Sequence, residues 1–519
     1  MKKFYRPTAV CLCCLLLVTL LSPISAFADV RTSDPVIYVR GQGAPLYDAA
    51  GNQIYPVDVE DGYIADAVKE CMPIFIEAVR TKEWDAYCDA LYEAVYPIYE
   101  SIALDKNGEA SDGSGVQWTW SKSTVKDTKK NGTYAMRDYM YEYDWRLDPL
   151  TVAADLNGYI NAVLSATGAK KVNIVGRCEG ACVTQAYLVK YGTSKVNNYC
   201  LYSQALSGVN SVSGTFSGKI QLDSASIDRY ADYYINSDNA FGNLLQTTIS
   251  LAASTSGLNI ATSFINDIYS QVYADILPRL VLATYGSMPG IWAMVSLEDY
   301  NDAMKLNFTG VESEYAGLIQ KIKNFHNTVA VSFKSDLKSF KNSGVDIAVV
   351  SKYGFQSTPL FENNEIISDG ASTVTNTTLG ATTALVGQTL SDEYIAGRES
   401  KGYGSYISPD KQVDLSTCLF PNTTWLIKGL EHSIFPECAE ELISAFFITD
   451  GKMNINTYDV FPQYTVYSQS KGTLSPMTEQ NSTDSWEENN IFTRIYKFFL
   501  SLFNALIEIF NKLFGSAII

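Results

Sequence analysis

Three residues of this 519-residue chain, Cys178, Asp369 and His432, can share one nucleophilic reaction. A thiol beside an imidazole gives up its proton readily, and the sulfur then attacks an acyl carbonyl. A carboxylate on the other ring nitrogen fixes the tautomer and steadies the imidazolium. The chain has only two histidines, and the second, His326, follows the polar stretch Lys321-Ile322-Lys323-Asn324-Phe325, which predicts a surface position. Cys178 is framed by glycines in Gly176-Arg177-Cys178-Glu179-Gly180. The backbone N–H groups of Glu179 and Gln42 are expected to bind the oxyanion formed on attack. The acyl-thioester would then pass to water or to an acceptor alcohol.

These side chains need elements to carry them. Val172, Ile174 and Val175 form a short apolar run in the manner of a buried parallel strand, and Ala181 to Tyr191 reads as a helix. Strand, tight Gly-x-nucleophile-x-Gly turn and helix make a nucleophile elbow, with cysteine where serine is usual. The middle residue of such a turn takes strained backbone, and its glycine neighbours let strand and helix approach. Upstream, Asp34-Pro35 opens a strand, Val36 to Val39, that runs into Arg40-Gly41-Gln42-Gly43, where a second oxyanion donor belongs. Downstream, Val345 to Val350 reads as a buried strand and Glu365 to Gly370 as an acid-bearing loop. A last strand, Thr424 to Gly429, runs into Glu431-His432-Ser433, with a helix over Pro436 to Phe447. Nucleophile, acid and base in that order on βα junctions predict an α/β chain of α/β-hydrolase layout with a mostly parallel sheet.

The connecting regions predict the rest. Residues 60–105 and Val152 to Ala166 have helical periodicity, and Tyr199 to Leu206 reads as a strand. From 208 to 344, Ser-, Gly- and Asn-rich stretches alternate with apolar segments at Leu244–Ala253, Phe264–Leu277 and Ile291–Val295. An insertion of that length between core strands is expected to be a cap or lid over an apolar site. The hydrolase core would then comprise 29–207 and 345–467, followed by a polar linker at 468–489 and a helix at 490–519. In that last segment Arg494, Lys497, Asn504, Glu508, Asn511 and Lys512 recur at helical spacing on an otherwise Phe/Leu/Ile-rich stretch. The pattern predicts an amphipathic helix lying on a membrane surface rather than spanning it.

Composition narrows the function classes. The formal charge is −17 with no basic cluster in the body of the chain, which argues against nucleic acid as a partner. Lys2, Lys3 and Arg6, an apolar run from Ala9 to Leu21 and Ala26-Phe27-Ala28 predict a signal peptide over 1–28. Its removal takes away three positive charges and no negative one, leaving −20. The chain is therefore expected to be secreted and retained at a bacterial cell surface. Seven cysteines remain after cleavage, namely Cys71, Cys88, Cys178, Cys182, Cys200, Cys418 and Cys438. Export permits disulfides, and the odd count leaves at least one thiol free. No cysteine or histidine cluster has metal-ligand spacing, so no metal or other cofactor is expected.

The chain resembles the lecithin:cholesterol acyltransferase and lysosomal phospholipase A2 group of α/β-hydrolases. The likeness rests on Tyr143-Asp144-Trp145-Arg146-Leu147, the elbow, Ser287-Met288-Pro289-Gly290-Ile291-Trp292, Ser368-Asp369-Gly370 with Thr373-Val374, and His432. It implies a lipase, esterase or phospholipid acyltransferase with a cap over an acyl-chain site. That family carries serine where Cys178 stands, and its acid often follows the glycine, where this chain has Ala371 and Ser372. Asp369 is thus the nearest candidate acid, with Asp392 in reserve. A Gly-x-Cys-x-Gly elbow also looks like that of polyhydroxyalkanoate synthases, which act inside cells, against the predicted export. The alternatives to a lipid ester hydrolase or acyltransferase are a non-catalytic lipid-binding protein on the same scaffold and a thioesterase or amidase.

Overall fold

Apolar runs bounded by turn residues assemble into one sheet of eight strands. The computed structural model describes residues 31–57, 63–220, 224–226, 257–357, 360–449 and 452–482. The strands are β1 (Val36–Val39), β2 (Tyr139–Tyr141), β3 (Val172–Arg177), β4 (Val196–Tyr202), β5 (Asp346–Tyr353), β6 (Thr424–Lys428), β7 (Tyr464–Ser468) and β8 (Thr473–Pro476). Their order across the sheet is β8-β7-β6-β5-β4-β3-β1-β2. Every neighbouring pair is parallel except β7 with β8. This is an α/β fold. The central strands lie buried on both faces, which is why they read as continuous apolar runs rather than alternating ones.

Alternate residues of each strand feed opposite faces of the sheet. Ile37, Val39, Ile174, Leu201 and Ile347 pack on one side, with α3 (Pro149–Thr167) and α4 (Gly180–Tyr191). Val36, Tyr38, Val175, Tyr202, Trp425 and Ile427 pack on the other, with the helix Glu437–Ile448. Helix α3 is well specified locally. Asp148 caps it by accepting the Leu150 N–H at 3.1 Å, Pro149 starts it, and Gly168 ends it in the left-handed region at φ 69°.

The expected helical stretch 60–105 is two helices, α1 (Tyr63–Thr81) and α2 (Asp85–Tyr99), broken at Lys82, whose φ is +66°. They pack with the helix Gly257–Ala283 in a cluster of their own that includes Phe75, Trp84, Val272 and Ile276. The helix expected at Leu244–Ala253 lies outside the described residues. Residues 281–342 do not stand apart from the sheet. Ile291, Trp292, Phe308, Ile322 and Leu337 join the same core as α3 and α4. Composition marks the length of this connection but not which of its helices the core absorbs.

Three further expectations change. The strand expected at Tyr199–Leu206 begins at Val196 and ends at Tyr202. The polar stretch from Ser468, expected as a linker, instead turns back as β8 and pairs antiparallel with β7. An edge strand is paired on one side only, so it needs no apolar run. His326 is half-buried, its ring stacked on Tyr300 at 3.4 Å between centroids. The preceding helix Ala316–Phe325 buries Leu318, Ile319, Ile322 and Phe325, so its lysines form only its outer side. The expected signal peptide at 1–28 and the tail helix at 490–519 lie outside the described residues. Among the described residues no helix is long and apolar enough to cross a membrane.

Candidate active site

The site grows from the switch in strand order. The chain passes from β1 to β2, then crosses back to lay β3 on the other side of β1. The carboxyl ends of β1 and β3 therefore lie side by side, with Val39 opposite Gly176. That is where an open parallel sheet forms a crevice. At the end of β3, Cys178 takes φ +50°, the left-handed region that a side chain rarely adopts. Hydrogen bonds hold it there: its N–H donates to Tyr202 O at 3.1 Å, and its carbonyl accepts from Ala181 N at 3.0 Å and Ala205 N at 3.2 Å.

The glycines on either side are dictated by approach distance. A Cβ on Gly180 would come 2.5 Å from Val39 O and 2.7 Å from Arg40 O. One on Gly176 would collide with Thr184 Oγ1 and sit 3.0 Å from Ala181 Cα. Gly41 plays the same part from the β1 side, where a Cβ would lie 2.8 Å from Cys178 Cβ. The β1 loop is thus pressed against Cys178, with Gln42 exposed next to it.

The loops after β5 and β6 bring the other two residues to the same end of the sheet. His432 Nδ1 lies 2.7 Å from Asp369 Oδ2, and its backbone N–H donates to Asp369 O at 3.0 Å. Asp369 is fully buried, and its Oδ1 accepts from Ser372 N at 2.9 Å and Ala371 N at 3.2 Å. The residues that depart from the resembled acid loop thus supply backbone donors to this carboxylate. Asp392 is exposed in the first turn of the helix Asp392–Glu399 and is not the carboxylate on His432. The imidazole and the Cys178 thiol are close enough to shift each other's titration, so cysteine, histidine and aspartate share one electrostatic site.

Charge follows from that arrangement. Burial pushes the Cys178 thiol up, yet the His432 charge and hydrogen bond, Arg177 and the Glu179 N–H together hold it below its ordinary value. Burial pulls His432 down, but Asp369 and then Cys178 raise it to about 10. Burial would raise Asp369, and His432, Lys352 and the Ser372 N–H hold it below its usual range. The arrangement favours a thiolate facing an imidazolium.

Two groups here carry no motif. Lys352, in β5, is fully buried, and burial pulls its ammonium down to about 7 against the pull of Asp369. Its only trace in the sequence is a lone lysine in the run from Ile347 to Tyr353. Glu179 presents its N–H to Cys178, but its side chain is also fully buried, with both oxygens unpartnered. Burial pushes that carboxyl well above its normal range, which favours the uncharged form.

Three of the resembling stretches, those with Arg146, Glu179 and Gly290, come together. Arg146 and Asp144 form a buried pair, with Nη2–Oδ2 at 2.6 Å and Nε–Oδ1 at 2.9 Å. Gly290 donates to Arg146 O at 3.0 Å, and a Cβ there would collide with Trp145 O and approach Glu179 Oε1 to 2.9 Å. A cleft of about 460 Å³ opens nearby, lined by Ser207, Ser213, Lys219, Asp299, Thr373 and Asn376 among others, without Cys178 or His432. The seven cysteines of the described residues are free thiols. Among the described residues no three His, Cys, Asp or Glu side chains come together as a metal-binding group.

No family model matches this chain, and no curated protein matches it. None therefore supports the acyltransferase-like assignment. Among solved structures it is similar to a chain of the crystal structure of the Tle4-Tli4 complex, at 11% identity and a TM-score of 0.25. That likeness covers 61% of this chain and 74% of the other.

Proposed function

We propose that the chain is a cysteine-nucleophile acyl hydrolase or acyltransferase that acts on lipid esters at a membrane surface outside the cell. The observation that carries this reading is Cys178 on a left-handed turn, its thiol held below its ordinary value by a histidine whose Nδ1 lies 2.7 Å from a buried aspartate. In this reading the Cys178 thiolate attacks the acyl carbon, and the oxyanion takes hydrogen bonds from the N–H groups of Glu179 and Gln42. The carbonyl re-forms as the C–O bond breaks, and His432 hands its proton to the departing alkoxide. Water or an acceptor alcohol then attacks the thioester, giving its proton to His432, and the thiolate leaves. The lipid class is supported by the resemblance around Asp144, Gly290 and Asp369. The surface location is supported by the sequence pattern at 1–28 and 490–519.

The test is a series of p-nitrophenyl esters of increasing chain length, with intact and peptide mass spectrometry on the mature protein. An acyl adduct on Cys178 is expected, absent in Cys178→Ala and formed more slowly in His432→Ala. Turnover that persists in Cys178→Ala, or no adduct at any chain length, would overturn the catalytic reading and leave a lipid-binding scaffold.

A further inference from the structure

The segment from Glu431 to Phe435 carries His432, yet it is neither helix nor strand, and its five successive carbonyls need donors. All five have one. Lys352 Nζ donates to Glu431 O at 2.7 Å, His432 O at 2.6 Å and Ile434 O at 3.1 Å. Arg177 donates to Ser433 O, and Arg137 donates to Phe435 O at 3.0 Å. Tyr202 Oη adds a second donor to Ile434 O at 3.0 Å.

An ammonium has three N–H groups, and here three carbonyls of one loop converge on it. We propose that Lys352 is the positioning residue of His432, gathering the loop's carbonyls so that the imidazole stands between Asp369 and Cys178. The proposal rests on the Cys178–His432 reading above and adds the means by which the base is placed. Lys352 sits on β5, whose Tyr353 pairs with Lys428 at the end of β6, so the clamp joins the sheet directly to the loop that follows β6. A buried charge is costly unless every donor is met, and this one is met by backbone alone. The charged groups facing it are Asp369, Arg177, Cys178 and Glu431, and the Tyr202 ring lies 4.7 Å away. Its positive charge also favours the thiolate, so positioning and charge act in the same direction.

The test uses the mature protein and iodoacetamide, following Cys178 alkylation against pH by peptide mass spectrometry. Circular dichroism and a thermal melt show that each variant is folded at the assay temperature. In the wild type the Cys178 inflection is expected below that of an ordinary thiol, and His432→Ala should move it up. Lys352→Met, which keeps the length and removes the charge and donors, should move it up by about one pH unit, a roughly tenfold loss of thiolate at low pH. Lys352→Arg keeps the charge, but its planar fork cannot meet three converging carbonyls, so it should shift the inflection in the same direction. A His432→Ala profile identical to wild type would sink the Cys178–His432 reading. If His432→Ala shifts the profile but folded Lys352→Met does not, the clamp alone is overturned. Should Lys352→Met fail to fold, an unshifted Lys352→Arg profile overturns it instead.

Discussion

A thiolate facing an imidazolium responds to pH differently from a hydroxyl facing a neutral imidazole. Cys178 is held below its ordinary value and His432 is raised to about 10, so the ionic pair persists between those limits. In the proposed mechanism the imidazolium is the proton donor to the leaving group, so its share of kcat/KM on an ester is expected to last to about pH 10, while a step near pH 7 reports loss of the Lys352 proton. A fall centred near the ordinary histidine value that persists in Lys352→Met would contradict the pairing. The same shift has a stability consequence. Because the folded His432 binds its proton more tightly than the unfolded one, its contribution is complete below about 6.5 and disappears as pH rises through about 10. Asp369 works the other way: its contribution is present above the usual aspartate range and is lost as pH falls through its lowered value. Asp369→Asn leaves the shape intact but offers Nδ1 the wrong partner. Single-turnover acylation is expected to slow by about 10³- to 10⁴-fold, with the fold retained.

At the scale of elements, the elbow depends on close approach. Gly180→Ala would push a methyl onto two carbonyl oxygens at the end of β1, Val39 O and Arg40 O. Both belong to backbone and cannot swing away, so a loss of roughly 1–3 kcal/mol is expected in denaturant unfolding. The displaced β1 loop carries Gly41 and Gln42, so acylation of Cys178 should slow as well. Gly397 is the contrasting control, exposed within the helix Asp392–Glu399 with nothing within 4 Å of an added Cβ. Gly397→Ala should stabilise by roughly 0.5–1 kcal/mol without touching the acylation rate. Between β2 and α3, Arg146→Met would strand Asp144 in the core. That variant is expected to lose roughly 3–5 kcal/mol, and a loss under 1 kcal/mol would show that the pair is not the brace it resembles.

For the whole molecule, the sequence of the tail separates the proposed chemistry from the proposed location. The contacts of the proposed triad all lie within 36–450, while the apolar, thinly charged segment lies at 490–519. A chain ending at 482 is expected to keep its rate on a soluble short-chain ester and to lose co-sedimentation with phosphatidylcholine vesicles. Equal sedimentation of both chains would refute a membrane role for the tail.

Several features were legible in the chain because they are local. The apolar run ending at Gly176, the glycine pair around Cys178 and the loop bearing Asp369 each occupy a few consecutive residues, and their order along the chain is fixed by covalent sequence. Two histidines in 519 residues left little choice of base. Other features depend on partners far along the chain. Lys352 finds its acceptors about eighty residues downstream, and no strand pattern records a carbonyl that will converge on it. The raised titration of Glu179 follows from burial next to Gly290, a contact made only when residues 145, 179 and 290 meet. Val272 and Ile276 of the helix Gly257–Ala283 pack on α1 and α2 rather than on the sheet because apolar periodicity specifies a buried side but not its partner. The sequence by itself determined which residues have the chemistry and in what order the strands deliver them. Only the tertiary structure decided which charges survive burial, because desolvation and pairing depend on every neighbour at once.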